Sequence, residues 1–257
     1  MKTFIALIAA LLVLSASIAS PNLVEAKRKK KSDSDLEKTL KSQNVTEADR
    51  LKALDEYVFP SVEYVRGLGE FYEDNLPSEK KPDRIMDRIC ASILTKISII
   101  KDEAIYKELG EDCLDVKLPM KLRVAYIEAY SNDTSDAASA NFLELAKDEI
   151  ATIRTFAIAD LGLRQYKPAF STIMGSLIDP DRRVQFAAMD SLVHYAEIHK
   201  NYKDAIVTEL CSQYMQRPSN LGVKINHCRQ TLKQITGHDA GVDPVAWYNW
   251  WREQKIN

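Results

Sequence analysis

Leu122-Arg-Val-Ala-Tyr-Ile-Glu-Ala-Tyr130, Ile153-Arg-Thr-Phe-Ala-Ile-Ala-Asp-Leu161 and Val184-Gln-Phe-Ala-Ala-Met-Asp-Ser-Leu192 begin 31 residues apart and share one register. Each opens on an aliphatic residue and places a second apolar residue sixth (Ile127, Ile158, Met189) and a large apolar residue ninth (Tyr130, Leu161, Leu192). The fifth is alanine in two copies, Ala157 and Ala188. Apolar residues at this spacing line one face of a helix, and a small fifth residue lets a neighbouring helix approach closely. Weaker copies begin near Ile89 and Val223. A period of about 30 to 40 residues built from two helices predicts an α-solenoid, in which no unit buries its own apolar face and stacking supplies the core. The expected fold class is all-α: stacked antiparallel helix pairs after an N-terminal signal segment.

The rest of the chain agrees with a helical interior. Of 257 residues only 8 are glycine and 9 proline, too few for a turn-rich all-β protein, while 46% hydrophobic and 28% charged residues exclude wholesale disorder. From Thr46 onward amphipathic segments run to the end, broken at Pro60, Pro77, Pro82, Pro119, Pro168, Pro180, Pro218 and Pro244. Thr46-Glu-Ala-Asp49 reads as an N-cap with an acidic first turn, followed by Leu51, Leu54, Tyr57 and Val58 at helical spacing. Ser32 to Gln43 is polar and lacks a convincing apolar stripe, which reads as linker or a frayed helix start. The predicted organisation is a signal segment over 1–26, a basic and polar linker over 27–45 and a solenoid over 46–257, its repeats clearest over 117–237, with a capping helix over 243–254.

Asp148-x4-Ile153-Arg154-x2-Ala157-x3-Leu161-Gly162 and Asp179-Pro-Asp-Arg-Arg-Val184-x3-Ala188-x3-Leu192 resemble HEAT-like repeats of the phycobilisome-lyase type, often found in bacterial proteins. In that family the aspartate of the inter-helix turn and the arginine opening the second helix form a ladder between repeats. The resemblance implies that structural role for Asp148, Arg154 and Asp179. The pattern departs at Gln185, where arginine is expected and Arg183 is the candidate replacement, and at Lys117, which occupies the aspartate position of the earlier repeat. The C-terminal stretch from Thr236 to Trp251 is similar to an ending that recurs in such proteins. Gly237 suits the left-handed conformation that closes a helix, Asp243 can cap the next and Pro244 fits its first turn. Trp247 with Trp250 or Trp251 falls on one helical face, as an aromatic ligand platform or, the stronger reading, as a seal over the open end of the stack.

Met1-Lys2, the apolar run Phe4 to Leu14 and the small residues after it have the order of a secretory signal peptide, with cleavage before Ser20 or Lys27. The competing reading is an uncleaved anchor, because Thr3 to Val24 carries no charge and the basic run Lys27 to Lys31 follows. That run is read as a solvated mature N-terminus. Six of the 35 basic residues and one of the 37 acids precede Ser32, leaving 29 bases against 36 acids, a net charge of −7. An acidic body disfavours binding to a phosphate backbone, so no nucleic-acid partner is expected for it. Membrane contact is expected only through an uncleaved N-terminal segment.

Four cysteines, Cys90, Cys113, Cys211 and Cys228, suit an oxidising compartment as bridges or serve as buried free thiols. No C-x-x-C, H-E-x-x-H, Walker loop, G-x-G-x-x-G or G-x-S-x-G is present. His194 and His199 are off the spacing of a helical metal pair, and His227 beside Cys228 points about 100 degrees away from it. No catalytic residue, metal or cofactor is therefore assigned. The predicted function is an exported, non-catalytic scaffold, periplasmic or extracellular, that binds a protein or peptide on its concave face. The alternatives are an enzyme on a HEAT-like scaffold, lyase-like or alkylation-repair-like, and a membrane-anchored cytoplasmic adaptor.

Overall fold

The computed structural model describes residues 33–76, 83–215 and 222–256, and the fold over them is all-α, with no strand. The predicted signal segment and the basic run Lys27 to Lys31 lie outside the described residues. Among the described residues no helix is long and apolar enough to cross a membrane. The chain divides between Pro60 and Ser61 into two compact units.

In the first unit α1 (Asp33–Lys41) packs on α2 (Glu47–Glu56). Part of the predicted linker over 27–45 is thus a helix. Its Leu36 and Leu40, one turn apart, are buried with Leu54. Two apolar residues in nine make too short a stripe to read as a period, yet they suffice once a second helix covers them. Thr46 caps α2 as its sequence predicts, its Oγ1 accepting from the Asp49 amide at 3.2 Å and donating to Asp49 Oδ2 at 2.6 Å. Arg50 reaches back to the Leu40 and Val45 carbonyls at 3.4 and 3.0 Å, which ties α2 to α1.

The second unit begins with α3 (Val62–Asp74), α4 (Arg84–Ser98), α5 (Glu103–Tyr106) and α6 (Gly110–Leu114). It continues through α7 (Met120–Tyr130), α8 (Asp136–Leu145), α9 (Ala151–Arg164), α10 (Phe170–Gly175) and α11 (Arg182–Ile198). It closes with α12 (Lys203–Met215), α13 (Gly222–Thr236) and α14 (Pro244–Ile256). The three matched segments lie on α7, α9 and α11, which start at Met120, Ala151 and Arg182, again 31 residues apart. Their equivalent apolar residues are all buried, Leu122 with Ile153 and Val184, Ile127 with Ile158 and Met189, Tyr130 with Leu161 and Leu192. The weaker copies coincide with α4 and α13.

These five helices pack in order, α4 on α7, α7 on α9, α9 on α11 and α11 on α13. Among the other helices α3 meets α5, α6 meets α8, and α12 meets α14. At Gly162 α9 approaches α11 closely, since a Cβ there would lie 2.7 Å from Ser191 Cα. A backbone atom cannot step aside, so only glycine lets α9 and α11 touch there.

Candidate functional site

The α7–α9 and α9–α11 pairs are each fastened at the turn that precedes the second helix. Arg154, near the start of α9, donates from Nε and Nη2 to the two carboxylate oxygens of Asp179, both at 2.9 Å, and from Nη1 to the carbonyls of Asp148 and Glu149. Asp179 also accepts from the Asp181 amide at 2.7 Å, so one carboxylate closes its own turn and receives the arginine of the layer before it. Asp148 does the same, accepting from the Ile150 amide at 2.8 Å and from Arg123 Nη2 at 2.6 Å. Arg123 is the member that reading the repeat left out, although it stands 31 residues before Arg154. It is also the most buried, at 1% against 7% for Asp148.

Arg183 does not replace the arginine missing at 185. Its guanidinium turns to Asp181 of its own turn, with Nη2 at 2.9 Å, and reaches Thr152 at 3.4 Å, in an exposed position. Gln185 keeps only the hydrogen bond to its own turn, donating to the Asp179 carbonyl. Among the described residues the rungs run from Arg123 to Asp179. The α11–α13 junction is joined from the helix faces instead: the His227 ring stacks on Phe186 at 4.4 Å, and its Nε2 lies 2.8 Å from Asp190 Oδ1.

A groove of about 300 Å³ opens on the face of α4, α7 and α9. Leu94, Thr95 and Ser98 line it from α4, Met120, Lys121, Val124, Ala125 and Glu128 from α7, and Thr152 from the first turn of α9. Its floor is apolar because these positions lie at the edge of the stripe that joins the helices, next to buried Leu122 and Ile93. Partial burial raises the Glu128 carboxyl above its ordinary value, against a smaller opposing effect of the Ser98 hydroxyl that hydrogen-bonds to it.

Other ionisable groups serve the helix junctions. Burial pushes the Asp160 carboxyl up to about 6, opposed by Arg164 one turn away. Arg164 in turn holds the Ser131 carbonyl at 3.0 Å and the Asp133 carbonyl, and lies 4.6 Å over the Phe142 ring, fastening the end of α9 to the end of α7. Cys90, Cys113, Cys211 and Cys228 are buried free thiols, not bridges. Burial pushes Cys90 and Cys211 up to about 11 and raises Cys113 as well, which suppresses their thiolates at neutral pH. Among the described residues no group of three or more histidine, cysteine or carboxylate side chains is placed to hold a metal.

At the C-terminus Gly237 takes φ +76° and Gly241 φ +82°, Asp243 Oδ1 accepts from the Val245 amide at 2.9 Å, and Pro244 opens α14. Trp247 is buried and donates from Nε1 to the Gly241 carbonyl at 2.8 Å, while Trp250 stacks on His238 at 4.1 Å and lies 5.8 Å from Trp251. The loop is held by Asp239, which takes both Arg229 nitrogens at 2.8 Å and is kept well below the usual carboxylate range by them. His238 and Asp239 occupy the indole faces and the loop, a role their sequence spacing did not announce. Comparison of the sequence with protein-family models and with curated proteins gives no match in either case.

Proposed function

We propose that this chain is an exported α-solenoid of HEAT-like repeats that binds a protein or peptide partner on the face of α4, α7, α9, α11 and α13, without catalysis of its own. The observation that carries this reading is the groove of Leu94, Met120, Val124 and Ala125, an apolar strip open to solvent on the same helices that repeat along the chain. Stacked helix pairs offer an extended surface of this kind, and polar groups at the edge of an apolar strip set orientation and specificity. The arginine–aspartate rungs lie at the turns, where they hold the layers in register and leave the groove unencumbered.

The experiment compares full-length protein with its Val124→Glu variant, each immobilised and exposed to an envelope fraction at low and high salt. Partners retained by the parent and lost on Val124→Glu, with the helical circular dichroism unchanged, support the reading. Equal retention by both proteins overturns it. The export half is checked by the mature N-terminus, expected at Ser20 or Lys27 and not at Met1.

A further inference from the structure

Sulfur is divided unevenly between the core and the proposed binding face. All four cysteines are buried, and so is Met189 in α11 at 2% exposure, whereas Met120 is exposed at 37%. Met86 and Met174 are half-buried and lie outside the groove, so among the residues whose side chains are described Met120 presents the sulfur most open to solvent. It is the first residue of α7 and stands one turn before Val124 on the same face, the two lining the groove with Leu94 and Ala125. An unbranched, polarizable thioether suits an adaptable apolar contact, and the same sulfur is the point at which that contact can be made polar. A peroxide transfers one oxygen to it: the sulfur lone pair attacks, the O–O bond breaks, the S=O bond forms and water leaves, so the methionine is oxidised by two electrons and the peroxide reduced. The reverse step takes two thiols, which become a disulfide as the oxygen leaves as water.

We propose that Met120 is an oxidation site that controls the groove: peroxide converts it to the sulfoxide ahead of Met86, Met174 and Met189, and the sulfoxide weakens the hold on an apolar side chain seated on Leu94, Met120 and Val124. This rests on the reading of the groove as the partner-binding face. A sulfoxide oxygen needs hydrogen-bonding partners, and an apolar ligand covering it supplies none, which costs about tenfold or more in affinity. The sulfoxide is neutral, so Lys121 and Glu128 in the same groove keep their charges and the change falls on the apolar strip alone. Met120 stands outside the buried layer of Leu122, Ile153 and Val184, so its oxidation leaves the stack of helices folded. An exported chain meets such oxidants outside the reducing cytosol.

The probe is the tightest binder selected from a displayed library of random peptides on the full-length protein and lost on Val124→Glu. Full-length protein is treated with graded hydrogen peroxide and digested, each methionine is followed by mass spectrometry, and peptide affinity is measured on the same samples before digestion. Met120 is expected to gain oxygen before Met86, Met174 and Met189, with affinity falling about tenfold in step and the helical circular dichroism unchanged. Methionine sulfoxide reductase with a dithiol is expected to restore binding, and Met120→Leu to keep it through the same treatment. Oxidation of Met86 or Met174 ahead of Met120, affinity that survives conversion of Met120, or Met120→Leu losing affinity to peroxide as the parent does overturns the proposal and leaves the binding face standing. A library that yields no binder dependent on Val124 removes the binding face and the proposal together.

Discussion

The junctions from α7 to α11 and the junction from α11 to α13 are built from the same repeat and fastened by different chemistry. In the first, arginines 123 and 154 reach from the start of one helix into the turn of the next layer, where an aspartate already closes the backbone. In the second, Gln185 bonds to its own turn among the described residues, and Phe186, Asp190 and His227 make a contact across the helix faces. A rung at the turn fixes register without using the open face, whereas the α11–α13 contact places aromatic and ionisable groups on the face itself. One residue type at one position in the repeat decides which arrangement is used.

The largest effect is expected on breaking the innermost rung. Arg123→Met leaves Asp148, 7% exposed, without its counter-charge and strips the Cys113 carbonyl of two donors. Removing one partner of a buried pair costs about 3–5 kcal/mol, and urea denaturation followed by circular dichroism measures it. Arg154→Met cuts a rung whose partners are 14% and 12% exposed, so water replaces part of what is lost and the cost falls to about 2 kcal/mol. Equal costs at both rungs would mean that burial does not set their strength.

Sharpening the contrast means trying to restore the missing rung. Gln185→Arg supplies the guanidinium but, among the described residues, no receptor: Asp179 is already taken by Arg154, and the residue 31 positions beyond it is Leu210, buried in α12. A further charge in a position 8% exposed is expected to destabilise by about 1–2 kcal/mol. A gain in stability would show that α12 or its neighbours offer an acceptor.

The helices and the order in which α7, α9 and α11 pack were legible because a period of 31 is a statement about packing: each copy needs the same buried residues, and Leu122, Ile153 and Val184 answer to it. The rungs were legible in three of their four members. Asp148, Arg154 and Asp179 pair with the residues that the repeat brings near, but Arg123 was passed over because its own turn carries Lys117 at the aspartate position, which hides that the same arginine faces forward to Asp148. Arg183 looked like a substitute by proximity in sequence, yet residues 183 and 185 point about 200 degrees apart on a helix. The α1 helix and the groove were not legible. The first depends on two leucines that matter only beside α2, and the second gathers residues from three helices with no spacing in common.

A smaller effect separates the α7–α9 junction from the α9–α11 junction by pH. Arg164 holds the Ser131 and Asp133 carbonyls and pairs with Asp160, whereas 31 residues later Tyr195 uses a neutral hydroxyl to donate to the Tyr166 carbonyl at 2.5 Å. The Asp160 carboxyl is raised to about 6 in the folded protein from its ordinary value of 3.8. Between about pH 4 and 6 the native state therefore binds a proton that the unfolded chain releases, and this group's contribution to stability is largest at the acid end and is lost as pH rises through 6. Acidification from pH 7 to 5 is expected to add about 1 kcal/mol from Asp160, a slope that Asp160→Asn removes while Tyr195→Phe leaves it in place. Urea midpoints at the two pH values read the difference directly.

The smallest effect is expected at Asp190, in the face-to-face junction. Asp190 is 61% exposed beside a His227 ring that is 13% exposed, so solvent screens the pair and the stack on Phe186 supplies the contact area. Asp190→Asn keeps a hydrogen-bond acceptor at the same place and removes only the charge, and it is expected to change stability by less than about 0.5 kcal/mol. Phe186→Ala removes the ring under His227 and should exceed it, by the roughly 0.5–1.5 kcal/mol an aromatic pair adds plus the apolar area lost. If the two substitutions reverse in order, the α11–α13 junction is held by charge like the rungs before it, and the distinction drawn between the junctions is one of position alone.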